Sequence, residues 1–308
     1  MNFFGSLLNA LPGAVAQGML WGVMAVGVFL TFRILDVADL TVDGSLACGG
    51  AVCVMMIRSG ADPWLALACA AGAGMLAGLC TGLLHTRCGI PAILAGILTQ
   101  LALYSVNLRI LDGKANQPLS VDKYPLLVSQ RYVRELSAHN PILPAVAILA
   151  LLVGGLYWYF GTERGCAVRA VGANAGMARA QGIDTRRATV TGLMLSNGLV
   201  AGAGALLAQY QGAADVNMGR GAIVIGLAAV IIGEVLFSRV FRNFALKMAS
   251  VVIGAILYYI VLQIVLQMGL NTNDLKLLTA AVVAVFLSVP VWKDRLLQNK
   301  PGGGKRHA

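Results

Sequence analysis

The sequence predicts an all-α bundle that crosses a membrane about nine times, and three observations predict it. Hydrophobic residues make up 58% of the 308 residues and charged residues only 12%, about half the charged share of an ordinary soluble domain. Runs of about 20 mostly apolar residues recur along the chain, each long enough to cross a hydrocarbon core. Thirty-seven glycines lie among them without a collagen period, an enrichment that lets helix backbones approach closely in lipid.

Taken in order, the expected spans are 14–35, 41–57, 63–85, 90–110, 141–160, 188–211, 222–237, 243–267 and 274–292. Those at 41 and 222 are short and glycine-rich, so each is expected to be broken or re-entrant, which puts the count at about eight to ten. The opening MNFFGSLLNALPG has neither a basic stretch nor a small-residue cleavage site, so the first span is expected to remain in the mature protein. Residues 1–292 read as a single transmembrane domain, and 293–308, ending PGGGKRHA, as a flexible basic tail near anionic lipid.

The net charge of +10 does not indicate nucleic acid, because the basic residues are dispersed and lack interleaved aromatics on a polar face. It indicates orientation instead. If the arginine-rich connection 161–187 is cytoplasmic, fifteen of the 23 basic residues lie inside, with the N-terminus outside and the C-terminus cytoplasmic. Six cysteines in or beside apolar runs, without a CxxC pair, are expected to be small core residues. His85, His139 and His307 are isolated, and no nucleophile, base and orienting acid converge on one segment, so no catalysis or metal site is expected.

The connection 161–187 carries ordered cues. Asn174 is suited to cap a helix and Gly182 to stop one, which predicts a short helix over 175–181 across the cytoplasmic face. Asp184 and Thr185 are placed to cap the following span. Met177 and small alanines on one side, with Arg179 and Gln181 on others, suit docking in a groove of a soluble partner; the alternative is a plain connecting loop.

Polar residues inside spans are costly in hydrocarbon and face a cavity or the protein interior. Two strings break the apolar pattern, DLTVDGS from Asp39 to Ser45 and DVNMGRG from Asp215 to Gly221. They share a spacing, and the topology above puts them on opposite sides of the membrane. Such a pair suits an inverted repeat whose broken helices meet at mid-depth and present helix ends to a solute carboxylate. Thr41, Asp43, Ser45 and Asn217 are therefore candidate translocation-path residues. Thr99, Gln100, Tyr104 and Asn107 recur at near-helical spacing, and Ser196 and Asn197 sit beside Gly198; lining a polar cavity and hydrogen bonding between helices are equally open for these. Thr99, Gln100, Ser196 and Asn197 join the candidate path. Gln209 and Gln211 are expected at the outer end, within reach of an external soluble partner, Glu234 is expected to pair with Arg239 and Arg242, and Asp274 and Lys276 to cap and anchor a span.

The stretch TERGCAVRAVGANAGMARAQGIDTRRA, followed by GLMLSNGLVAGAGALLAQYQGAADVNMGRGAIVIGLAAVIIGEVLF, resembles permease subunits of bacterial ATP-binding-cassette importers of the branched-chain amino acid and ribose superfamily, tryptophan/tyrosine-type subgroup. LTVDGS, PAILAGILTQLALYSVNLRI and NDLKLLTA fit the same subgroup, and the resemblance runs from about residue 14 to 292. It implies an inner-membrane subunit that moves a small solute, an amino acid or a related compound, by alternating access. It also implies that Asn174, Ala175, Gly176, Met177, Ala178, Arg179, Ala180, Gln181 and Gly182 form the coupling helix. The implied partners are two ATPase subunits, a second permease copy, an extracytoplasmic solute-binding protein and membrane lipid. ATP and magnesium then belong to the ATPase, and this chain binds no cofactor; it has no GxxxxGK[ST] loop to cradle phosphates. The alternative is an ion-coupled secondary transporter, which calls for intramembrane acids in a relay.

Overall fold

A computed structural model describes residues 3–133, 140–237, 241 and 243–267, with helical positions 277, 279–281, 283–285 and 288 beyond them. The helices are α1 (Phe3–Phe29), α2 (Thr41–Arg58), α3 (Pro63–Thr86), α4 (Ala92–Ile110), α5 (Ile142–Gly161), α6 (Glu163–Ala173), α7 (Ala175–Ala180), α8 (Thr185–Gln211), α9 (Ala222–Phe237) and α10 (Phe244–Gln267). Among the described residues, seven segments are long and apolar enough to span a membrane, and α9 is a shorter apolar helix. The ninth expected span, the basic tail, and the roles given to Asp274 and Lys276 lie outside the described residues.

The described residues are nearly all helical, with one departure. Two strands, β1 (Asn116–Pro118) and β2 (Ala213–Asp215), pair antiparallel, with Gln117 opposite Ala214. The ribbon ties the connection after α4 to the end of α8, and the Arg58 side chain donates to Gln117 beside it. The ends of α2, α4 and α8 therefore share one face of the bundle.

Helix α8 is the central post, and glycines set how closely its neighbours approach. A Cβ on Gly49 of α2 would overlap the Ala201 carbonyl, and one on Gly204 of α8 the Leu46 carbonyl. Gly74 and Gly78 of α3 pack the same way on the Asn197 and Leu193 carbonyls. In lipid, where no water drives apolar faces together, such backbone-to-backbone approach maximises van der Waals contact. Ser45 against Asn197 and Cys53 against Gln209 make α2 and α8 parallel, and Gly74 and Gly78 against Asn197 and Leu193 make α3 antiparallel to both. The outer faces of α3, α4 and α5 expose Trp64, Leu76, Leu94, Leu101, Leu151 and Trp158, a composition suited to acyl chains rather than water.

Helix α1 ends in a π-turn, Leu30–Ile34, closed by the Leu35 N–H on the Leu30 carbonyl at 3.0 Å. Asp36 then takes φ 54°, a left-handed conformation that aspartate tolerates better than most residues, and the chain reverses. The segment after it climbs back into the bundle. Leu35 lies against Gly192, whereas Asp39 reaches Asn197, one helical turn and more further along α8. Helix α2 thus begins inside the bundle rather than at its rim, as a broken helix does.

Only Cys48 and Cys53 are buried; Cys69, Cys80, Cys88 and Cys166 are exposed, so four of the six are not the core residues expected. Gln209 is also corrected. It lies fully buried, accepting from the Leu127 N–H at 2.9 Å and donating to Cys53 Sγ at 3.3 Å, which removes it from any outer docking surface. Glu234 accepts from Arg33 at 2.8 Å, where the sequence suggested Arg239 and Arg242, two positions outside the described residues. Fold closure decides that pairing: α9 runs parallel to the last turns of α1, with Gly226 against Met24 and Val28.

Candidate functional site

The two polar strings, expected on opposite sides, meet at one level. Asp43, in the first turn of α2, accepts from the Gly221 N–H at 2.9 Å and the Ile223 N–H at 3.0 Å, and so caps α9 from another helix. Gly219 lies directly on the Asp43 carbonyl, where no side chain fits. Two residues further on, Ser45 donates to Asn197 Oδ1 at 2.6 Å, and Asn197 stands near the middle of α8. The N-termini of α2 and α9 therefore face each other near mid-bundle and run in opposite directions from there. The expected geometry of broken helices is present, but the helix end expected to receive a solute carboxylate is occupied by Asp43.

Around this junction the candidate residues divide. Asn197 Nδ2 donates to Asp39 Oδ2 at 2.6 Å and to the Leu193 carbonyl at 3.0 Å, while Asp39 Oδ1 accepts from the Thr41 N–H at 2.9 Å. Ser196 donates to the Gly27 carbonyl at 2.7 Å. Thr81 Oγ1 lies 2.7 Å from Thr41 Oγ1 and donates to Thr99 Oγ1 at 2.9 Å, a hydroxyl chain across three helices. Thr41, Ser45, Thr99, Ser196 and Asn197 are all buried in these bonds. Of the two alternatives left open by the sequence, interhelical bonding is the one their geometry displays.

Asp43 and Gln100 instead line a cavity of about 210 Å³, together with Gly44, Leu101, Tyr104, Asn107, Val216 and Arg220. Tyr104 is half exposed and Arg220 exposed on its rim. Asn217 is exposed on the turn before it, its N–H on Asp215 Oδ1 at 2.6 Å, and does not line the cavity. Sequence reasoning missed Thr81, a lone hydroxyl in an apolar span, because its role depends on two partners 40 and 18 residues away. Thr81→Val is expected to lower the unfolding stability of the purified chain in detergent by about 1–2 kcal/mol while leaving uptake intact, since interhelical bonds in lipid are worth roughly that much.

At the other end, Asn174 Oδ1 accepts from the Met177 N–H at 2.9 Å and Gly182 takes φ 82°, the two signals that predicted this helix. Helix α7 ends at Ala180, one residue before the expected stop. Only Ala178 is buried, and Met177 is 66% exposed. Helix α6, which the sequence cues do not predict, precedes it; Thr162 caps its N-terminus, and Gly172 packs on the Ile34 carbonyl where α1 ends. Arg187 pairs with Asp184, which caps α8 at 3.1 Å.

With this architecture in view, the comparisons with known proteins identify the class. Residues 11–288 match the family described as branched-chain amino acid transport system / permease component, and the chain belongs to that family. It is 35% identical over 281 residues to the tyrosine transport system permease protein of Clostridioides difficile, covering 91% of each chain. It is 34% identical over 283 residues to an uncharacterised protein of Rickettsia prowazekii, 91% of this chain and 98% of that one. The ribose import permease protein of Escherichia coli K12 is 25% identical over 75% of this chain and 70% of its own. The protein is thus a permease component of an ATP-binding-cassette importer, a non-catalytic, multi-pass membrane subunit that works with ATPase and binding-protein partners. That membership sets aside the ion-coupled alternative.

Proposed function

We propose that the chain moves an amino acid inward by alternating access, as half of a homodimer, with Asn174–Gly182 receiving force from two ATPase copies that hold the ATP and magnesium. The observation that carries this reading is α7: a capped, protruding helix with an exposed Met177, joined through α6 to the end of α1. From the Gly172–Ile34 contact the chain continues through Asp36 and Asp39 to Thr41, so a push on α7 has a packed route to the mid-bundle junction. On this reading α7 is cytoplasmic, the N-terminus lies outside and the C-terminus inside, which the excess of basic residues at the α7 end supports. The single transmembrane domain extends to 292, with 293–308 a basic tail at the lipid surface.

Asp43 and Gln100 form the cavity-facing wall of the path; Thr41, Ser45, Thr99, Ser196 and Asn197 are the hydrogen-bonded frame behind it, and Asn217 belongs to its turn. The name of the Clostridioides difficile relative, a tyrosine permease, supports an amino acid as the solute. A second copy is supported by Arg220, since an arginine exposed near mid-bundle costs about 3 kcal/mol or more against lipid unless protein or water covers it.

The test is deletion of 175–181 in the complete assembly reconstituted in liposomes. The expected result is loss of ATP-dependent uptake and of copurifying ATPase, with the permease still in the membrane. Coupled uptake at the wild-type rate in the deletion overturns the assignment.

A further inference from the structure

The mid-bundle cavity holds opposite charges that do not meet. Asp43 and Arg220 both line it, yet among the described residues the Arg220 side chain forms no ion pair or hydrogen bond. The two N–H groups on Asp43 use part of its acceptor capacity, since an ionised carboxylate offers about four lone-pair sites. Asn107 is 1% exposed and donates to the Gly44 carbonyl at 3.3 Å, but its Oδ1 has no partner. A buried acceptor left unsatisfied is costly, and here it belongs to a cavity wall. The same cavity wall therefore offers a cation, an anion, a free acceptor and the half-exposed Tyr104 ring. At about 210 Å³ it is smaller than the roughly 300–1,000 Å³ usual for drug-sized ligands.

We infer that this cavity is a transient binding site for a single α-amino acid in its zwitterionic form, with Arg220 receiving the carboxylate and Asp43 and Asn107 Oδ1 the ammonium. The inference rests on the importer reading above and adds to it a site within the permease, so that solute selection does not belong to the binding protein alone. The carboxylate goes to Arg220 because the N-terminus of α9, the other anion site at this level, is already filled by Asp43. The ammonium suits Asn107 Oδ1 because that atom only accepts. A sugar fits less well: its hydroxyls leave both charges uncompensated.

The experiment uses the full-length chain in lipid nanodiscs, with L-phenylalanine as probe and saturation-transfer NMR as readout. Phenethylamine lacks the carboxylate, 3-phenylpropionate lacks the ammonium, and ribose carries no charge. L-Phenylalanine is expected to bind about tenfold or more tightly than any of the three, the size of one lost charge-assisted bond. Arg220→Gln is expected to bring L-phenylalanine down to the level of phenethylamine and to leave phenethylamine unchanged, while Arg220→Lys restores part of the difference. Equal binding of the three phenyl compounds, ribose binding as tight as L-phenylalanine, or no binding of L-phenylalanine to the wild-type chain overturns the site. ATP-dependent amino acid uptake by the complete assembly is measured in parallel. Uptake that persists without a site in the nanodisc refutes only this inference, whereas uptake that does not depend on ATP refutes the importer reading.

Discussion

Gly49→Leu is expected to remove the folded permease from the membrane. Any Cβ at this position overlaps the carbonyl group of Ala201, and the obstacle is backbone in the central helix rather than the end of a flexible side chain. Overpacking usually costs about 1–3 kcal/mol because neighbours shift. Here relief requires α2 to move off α8, which also separates Ser45 and Asp39 from Asn197. The expected cost therefore exceeds about 3 kcal/mol, a large part of the margin of an ordinary domain. Quantitative immunoblotting of membranes and size exclusion of the solubilised chain read the outcome. Gly72→Leu is the control, because a Cβ on Gly72 of α3 meets nothing within 4 Å. Wild-type abundance and monodispersity of Gly49→Leu contradict the close crossing of α2 and α8.

The second large effect is expected at Asp43. Asp43→Ala removes the acceptor for the Gly221 and Ile223 N–H groups and the one carboxylate in the cavity wall, so two losses coincide. The lost cap alone costs about 1–2 kcal/mol. A path role alone would lower uptake with membrane abundance unchanged; the geometry expects both to fall, because the residue holds two broken helices together. Asp43→Asn separates the roles, since its amide oxygen still accepts a cap bond but carries no charge. Abundance is expected to return to near wild type in the asparagine variant, with uptake still about tenfold or more below it. Uptake by Asp43→Ala at the wild-type rate places Asp43 outside the path.

The short helix α7 was legible because its signals are local. Asn174 and Gly182 act on backbone within three residues of themselves, so a capped short helix follows from their order alone. Helix α6 was not legible. Its packing on the end of α1 is made by a glycine against a carbonyl 138 residues earlier, Gly172 on Ile34, which no periodicity displays.

The polar strings show the same division at larger scale. That carboxylates, hydroxyls and amides inside apolar spans must be satisfied follows from the cost of burying them in hydrocarbon, and the sequence by itself therefore marked Asp39, Thr41, Asp43, Ser45, Thr99, Gln100, Ser196 and Asn197 as exceptional. Membrane class, approximate spans and family were determined the same way, by composition and by motifs read along the chain. Which of those groups bond to each other and which face a cavity was decided only by the tertiary structure. Both outcomes satisfy the same local energetics, and the choice depends on how glycines set the spacing and rotation of α2, α3, α4 and α8. Asp43 became a cap for α9, and Arg220 its unpaired neighbour, because helices far apart in sequence begin at the same depth.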